Sequence, residues 1–154
     1  MAIRDRYAAE ESMTQSFLNY DCEVAVIGAG PYGLAVAAHL KGANIDTCVF
    51  GEAMSFWRRH MPKGMKLRST LTASDLGDPN GTLSFHSYAN HHGKRLSYPV
   101  PLEEFVRYGE WFQAHAVADL DTRKVVRIEQ IGERFCLCLD GRSEERRVGK
   151  ECRL

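Results

Sequence analysis

The sequence shows no excess of charge of either sign, because 20 lysines and arginines are matched by 20 aspartates and glutamates. That balance supplies no overall field to draw in a nucleic acid or an anionic membrane surface, and neither partner is expected. No apolar run approaches the roughly 20 residues that span a bilayer. Residues 1–20 place Glu10 and Glu11 where a secretion signal needs an apolar core, so a cytoplasmic location is the expectation. The five cysteines (Cys22, Cys48, Cys136, Cys138 and Cys152) are odd in number and form no C-x-x-C. Reduced thiols are therefore expected, with neither a disulfide framework nor a C-x-x-C redox pair. Only one G-x-G-x-x-G spacing occurs, so a second nucleotide fingerprint is missing as well.

What is present is ordinary globular composition, 44% hydrophobic and 26% charged, in a 154-residue chain suited to one domain. Its organising stretch is Val24-Ala25-Val26-Ile27-Gly28-Ala29-Gly30-Pro31-Tyr32-Gly33, followed by the alanine-rich Leu34 to Ala38. An apolar strand enters a glycine turn and a helix leaves it. Gly28 permits the tight turn, Gly30 lets a pyrophosphate approach the backbone, and Gly33 lets helix and strand pack closely. The helix N-terminus then presents N–H groups and a positive dipole end to phosphate. Ala29, Pro31 and Tyr32 complete the candidate turn. A purely structural turn is the competing reading.

The strand is expected over Cys22 to Ile27 as a buried element, and the helix from Pro31 to about Leu40, with Gly42 as its C′ residue. Asp46 to Phe50 reads as the second strand of a βαβ unit. Glu52 just beyond it is the candidate acid for a ribose hydroxyl, with helix capping or solvation as the alternative. Ala53 to His60 reads as a short helical turn whose Phe56 and Trp57 either pack in the core or face a ligand. Met61 to Ser69 is basic and turn-rich. Residues 73–99 read as a long irregular region of the kind that is lid-like or mobile. Its His86, His91 and His92 invite a zinc reading. No cysteine or acidic partner sits at ligand spacing, and no metal is assigned.

Pro101 fits the first position of a helix with Glu103 and Glu104 in its first turn and Leu102, Phe105, Val106 and Phe112 on a buried face. Lys124 to Glu129 and Arg134 to Leu139 read as paired strands about a turn at Gly132-Glu133. In the second, Cys136 and Cys138 share one face opposite the apolar Phe135, Leu137 and Leu139, and nothing nearby activates them. Asp140-Gly141 signals another hairpin. The charged run from Arg142 to Leu154 that follows has no strand period, mixes three glutamates with five cations, and resembles a string seen in translated sequencing-adaptor read-through. It is read as a solvated, non-native tail. The division is thus a flexible leader over 1–20, a nucleotide-binding unit over 21–141, and a tail over 142–154.

The glycine turn, Phe56-Trp57, Met61 to Ser69 and Pro99-Val100-Pro101-Leu102-Glu103-Glu104-Phe105 together resemble the N-terminal part of FAD-dependent monooxygenase-like oxidoreductases. These are two-dinucleotide-fold flavoproteins, and the resemblance covers about residues 22–141. It implies an α/β, Rossmann-like FAD-binding domain with a parallel sheet and a small β-hairpin, here incomplete. It also implies that Gly28, Gly30 and Gly33 cradle the FAD pyrophosphate, that Arg68 lies near the flavin, and that Val125 meets the adenine through its backbone. The family's ribose acid would fall on Gly51, one residue before Glu52, and its usual Gly-Gly before the aromatic turn is replaced by Ser55-Phe56. Family members reduce the flavin with NAD(P)H bound on a second domain and act on a small molecule. No general acid or base is identified, and the oligomeric state is not legible. Two other readings stay open: a stand-alone NAD(P)-binding Rossmann domain, and a non-catalytic nucleotide-binding protein.

Overall fold

A computed structural model describes residues 22–140 and the backbone of 145–148. The leader expected over 1–20 lies outside the described residues. Strand β1 (Val24–Ile27) leads through the glycine turn into helix α1 (Pro31–Gly42), which returns the chain to β2 (Thr47–Phe50). The two strands pair in parallel, with Val24 opposite Thr47 and Ile27 opposite Phe50. A crossover helix between parallel strands is the βαβ unit that the apolar periodicity called for. Beyond β2 the chain adds a parallel bridge at Asp121, whose N–H donates to the Val49 carbonyl at 2.9 Å.

Short helix α2 (Ser55–His60), the two-residue strand β3 (Lys66–Leu67), a 3-10 turn (Thr72–Ser74) and helix α3 (Phe85–His91) follow. Strand β4 (Val100–Pro101) pairs antiparallel with β3 and feeds the long helix α4 (Leu102–Ala116). The last elements are β5 (Val125–Ile131), β6 (Arg134–Leu139) and β7 (Glu145–Val148), an antiparallel sheet in that order.

Because successive side chains of a strand point to opposite faces, β2 divides the core in two. Val49 joins Leu34, Ala37, Met54, Phe85, Phe105, Tyr108 and Phe112 in the larger cluster under the helices. Cys48 and Phe50 join Cys22, Leu137 and Leu139 in a smaller cluster against the hairpin. All four residues of β2 are buried, as a strand covered on both faces must be.

Several local expectations need correction. Strand β1 is not buried: Val24 to Val26 are half-buried and Ile27 is 49% exposed, since among the described residues only β2 pairs with it. It begins at Val24 because the N–H groups of Glu23 and Val24 both turn to the Asp46 carbonyl, leaving Cys22 outside the strand. Gly42 is not a C′ residue but the last helical one. A Cβ there would stand 2.4 Å from the Pro79 ring, and Asn44 takes the positive φ, at 58°. Pro101 is the N-cap of α4 and not its first helical residue. Residues 73–99 are less irregular than expected. Helix α3 forms there because Phe85, Tyr88 and Ala89 are buried at helical spacing and the Ser84 hydroxyl accepts the Ser87 N–H at 3.1 Å. In β6 the thiols do not simply oppose a buried apolar stripe, because Phe135 is 48% exposed while Cys136 is buried. The charged run after Gly141 does contain a strand: β7 pairs with β6, as the Asp140-Gly141 signal promised.

Candidate functional site

The chain leaves β1 at Gly28, whose φ of 108° is strained for any residue with a side chain. Two main-chain bonds hold the turn, Gly28 N–H to the Phe50 carbonyl at 2.8 Å and Met54 N–H to the Ala29 carbonyl at 2.9 Å. One turn into α1, a Cβ on Gly33 would lie 1.8 Å from the Gly28 carbonyl oxygen, so the helix sits this close only because residue 33 is glycine. Over Gly30 the situation reverses, since a Cβ there would meet nothing within 4 Å. Gly30 is the N-cap of α1, at the end toward which a helix aims its free donors. Gly30 supplies no side-chain cap, the first turn of α1 contains no acidic residue, and Pro31 has no N–H to give. The N–H groups of Tyr32 and Gly33, in the first turn, have no intrahelical acceptor, and they lie at the positive end of the helix dipole.

At the end of β2, Gly51 (φ 119°) brings its own Cα face against the turn, where a Cβ would stand 3.4 Å from the Ala29 nitrogen. Glu52 follows and is ion-paired in this structure. Its carboxylate accepts from Arg58 Nη1 at 2.7 Å and also from Arg59, while Arg58 reaches Glu110 on α4 as well. Two of these pairs lie within the β2–α2 corner, and the third, Arg58 with Glu110, ties it to α4.

Beside the first turn of α1 lies a cavity of about 390 Å³. Pro31, Tyr32 and Ala35 form one wall, Trp57 and Phe105 another, and Leu67, Ser69 and Ala73 to Gly77 the rest. Trp57 packs edge-on against Phe105 with ring centroids 4.8 Å apart, so one residue serves both the core and the cavity. The 74–77 wall is fixed from a distance. Tyr108 accepts the Leu76 N–H at 2.9 Å and donates to the Leu83 carbonyl at 2.8 Å, and Asp75 accepts the Phe85 N–H at 2.6 Å. Burial raises the Tyr108 phenol above its ordinary value, which keeps it a donor. Ser74 donates to the Thr70 carbonyl at 3.1 Å, so the 2.7 Å contact between the Ser69 and Ser74 hydroxyls has Ser69 as its donor. Ser69 thus keeps its lone pairs for a ligand.

The structure therefore brings the glycine turn and Trp57 to one place. Arg68 is exposed between the wall residues Leu67 and Ser69, and its carbonyl accepts from the Tyr98 hydroxyl at 2.6 Å. Val125 opens β5 and packs on the smaller cluster with Phe50 and Leu139, away from the cavity walls. Ser74 to Gly77 and Phe105 were not foreseen as site residues. Their only sequence signal is an apolar helical period in Phe105, because the contacts that place them span tens of residues. Among the described residues no three histidine, cysteine, aspartate or glutamate side chains converge to hold a metal ion, and no helix is long and apolar enough to cross a membrane.

No family model matches the chain. Curated relatives are thiamine thiazole synthases of Saccharolobus islandicus and Saccharolobus solfataricus, each 37% identical over 51 residues, or 33% of this chain and 19% of theirs. The fold is shared much more widely. A bacillithiol disulfide reductase from Staphylococcus aureus aligns with 83% of the chain at a TM-score of 0.64 and 17% identity. A flavin-containing monooxygenase from Stenotrophomonas maltophilia aligns with 83% at 0.63 and 18%, and a ferredoxin-flavin thioredoxin reductase from Clostridium acetobutylicum with 84% at 0.57 and 17%. The chain spans 36% of the first two of these proteins and 35% of the third. Its fold is the glycine-turn α/β fold that these reductase and monooxygenase structures share over most of its length.

Proposed function

We propose that this chain binds FAD, with the pyrophosphate over Gly30 at the N-terminus of α1 and the flavin end toward the cavity between Tyr32 and Trp57. The observation that carries the reading is the contrast between two glycines of one turn. Gly33 is needed for packing, whereas Gly30 faces open space beside unpaired helix N–H groups. A cradle that a Cβ at residue 30 would enter is what a phosphate-approach position requires. The cavity's volume of about 390 Å³ and its aromatic wall suit a flat heterocycle.

When bound, FAD would supply electron-transfer chemistry that no side chain here supplies. The residues of this chain bind and orient. Tyr32 and Gly33 N–H groups hold phosphate, Trp57 and Phe105 give an apolar wall, and Ser69 offers an acceptor at its edge. Glu52, already paired with Arg58 and Arg59, is not assigned to the ribose. The protein to which these residues belong is proposed to be an NAD(P)H-dependent oxidoreductase acting on a small molecule, of the monooxygenase type that the sequence resembles.

Titration of the full chain with FAD, followed by quenching of flavin fluorescence, tests the binding. The expected result is saturable binding that is tighter than for NADP and lost in Gly30→Val. Tighter NADP binding would replace FAD with the nicotinamide cofactor. No binding of either, by a chain with the far-ultraviolet dichroism of an α/β fold, would overturn the proposal.

A further inference from the structure

The sequence groups His86 with His91 and His92, but the structure groups the histidines differently. His91 ends α3 and His115 lies in the last turn of α4, and their ring centroids are 6.0 Å apart at an interplanar angle of 77°. We propose that His91 and His115 form a surface site for a borderline divalent transition ion of the nickel or zinc kind, joining the C-terminal ends of α3 and α4. Two imidazoles that share a tetrahedral ion at about 2 Å per bond have their centroids roughly 5 Å apart, so the rings, 6.0 Å apart here, reach that spacing by a side-chain shift of about 1 Å, which their exposure on the surface permits.

The arrangement is held from behind. The Trp111 indole packs on the His115 ring at 4.6 Å and on the His91 ring at 6.0 Å. His115 Nδ1 lies 2.7 Å from the Trp111 carbonyl oxygen. A carbonyl only accepts, so Nδ1 carries the proton and Nε2 keeps the lone pair. This is the backbone-anchored tautomer that metal-bound histidines use. His92 repeats it, with Nδ1 2.9 Å from the Tyr88 carbonyl and its ring 5.0 Å from that of His91. Both site residues are exposed, so an ion can enter without unfolding. No third protein ligand converges among the described residues, so solvent completes the coordination. Imidazole nitrogen suits nickel, copper and zinc better than calcium or magnesium. Neither histidine lines the cavity beside α1, so the site stands independently of the flavin reading.

The test is calorimetric titration of the untagged full chain with Ni²⁺ alone, with a phosphine reductant keeping the thiols reduced. One ion per chain is expected. His91→Ala and His115→Ala should each weaken binding by about tenfold or more, and His86→Ala should leave it unchanged. As a second readout, Ni²⁺ should raise the thermal midpoint of the parent chain and of His86→Ala but not of the two site variants. Failure of the parent chain to take up Ni²⁺, or affinity that survives either site substitution, would overturn the proposal.

Discussion

The Gly33 Cα stands so close to the Gly28 carbonyl that a Cβ on residue 33 would come within 1.8 Å of that oxygen. The obstacle is main chain, and it belongs to a turn already fixed by bonds to Phe50 and Met54. Gly33→Ala must therefore push α1 off β1, and a loss of more than about 3 kcal/mol in unfolding free energy is expected. Gly30→Ala meets no atom and should change stability by less than about 1 kcal/mol, while lowering FAD affinity by about tenfold or more because the methyl group occupies the phosphate approach. Urea unfolding and flavin titration of both variants check the pair. A Gly33→Ala protein as stable as its parent would contradict the packing.

Glu52 is paired with two arginines in this fold. Its side chain is 37% exposed and it is shared between Arg58 and Arg59, an arrangement that solvent and salt screen. Glu52→Gln should cost no more than about 1 kcal/mol, most of it removed at high ionic strength. FAD affinity should change less than about threefold, far short of the loss that follows when a buried ribose contact is cut. A large affinity loss with unchanged stability would return Glu52 to the ribose.

Met54 and Gly109 make a second close pair, at the crossing of the β2–α2 corner with α4. Met54 is fully buried with φ 55°, and a Cβ on Gly109 would lie 2.5 Å from its sulfur. Gly109→Ala should destabilise by about 1–3 kcal/mol through overpacking. Met54→Ala should cost about 2–5 kcal/mol through the cavity it leaves. Because each change relieves what the other creates, the double variant should be less destabilised than the sum of the singles, which a double-mutant cycle in urea measures. Strict additivity would mean that the two sites do not touch.

How much of this was legible in the sequence follows from which forces are local. Gly28, Gly30 and Gly33, with the strand before and the helix after, are dictated by backbone geometry within ten residues, and they were readable. The β5–β6 pairing was readable for the same reason, its turn closing on Gly132 at φ 63°. Helix α3 carried a local signal too, in Ser84 and the Phe85, Tyr88, Ala89 spacing, but its histidines and asparagine masked it. The cavity was not readable. Its 74–77 wall exists because Tyr108, more than 30 residues later, holds Leu76 N–H, and Trp57 needs Phe105 to stand where it does. The fate of Glu52 lay between these cases, since Arg58 and Arg59 are near in sequence but only the bend at Met54 turns them back on it.

Tyr88 and Glu104 supply a pH-dependent tie between α3 and α4. The Tyr88 hydroxyl donates to Glu104 Oε1 at 2.8 Å, and Lys94 donates to the same oxygen at 3.2 Å. Burial alone would raise the Glu104 carboxyl, but these two donors and nearby Arg107 outweigh it and hold the group below its usual 4.5. Burial, with the carboxylate as acceptor, pushes Tyr88 up to about 12, so it remains a donor throughout the neutral range. A carboxyl lowered by folding contributes stability above its unfolded value, and that contribution is lost as pH falls through the folded value. Tyr88→Phe should therefore cost about 1–2 kcal/mol near neutrality. The gap between parent and variant should narrow as the solution is acidified below the ordinary carboxylate range and Glu104 takes up its proton. Urea unfolding of both proteins, at pH 7 and again at about pH 3.5, measures that gap directly. A gap that stays constant would assign the effect of Tyr88 to ring packing against Phe85 and Trp111 and not to its bond with the carboxylate.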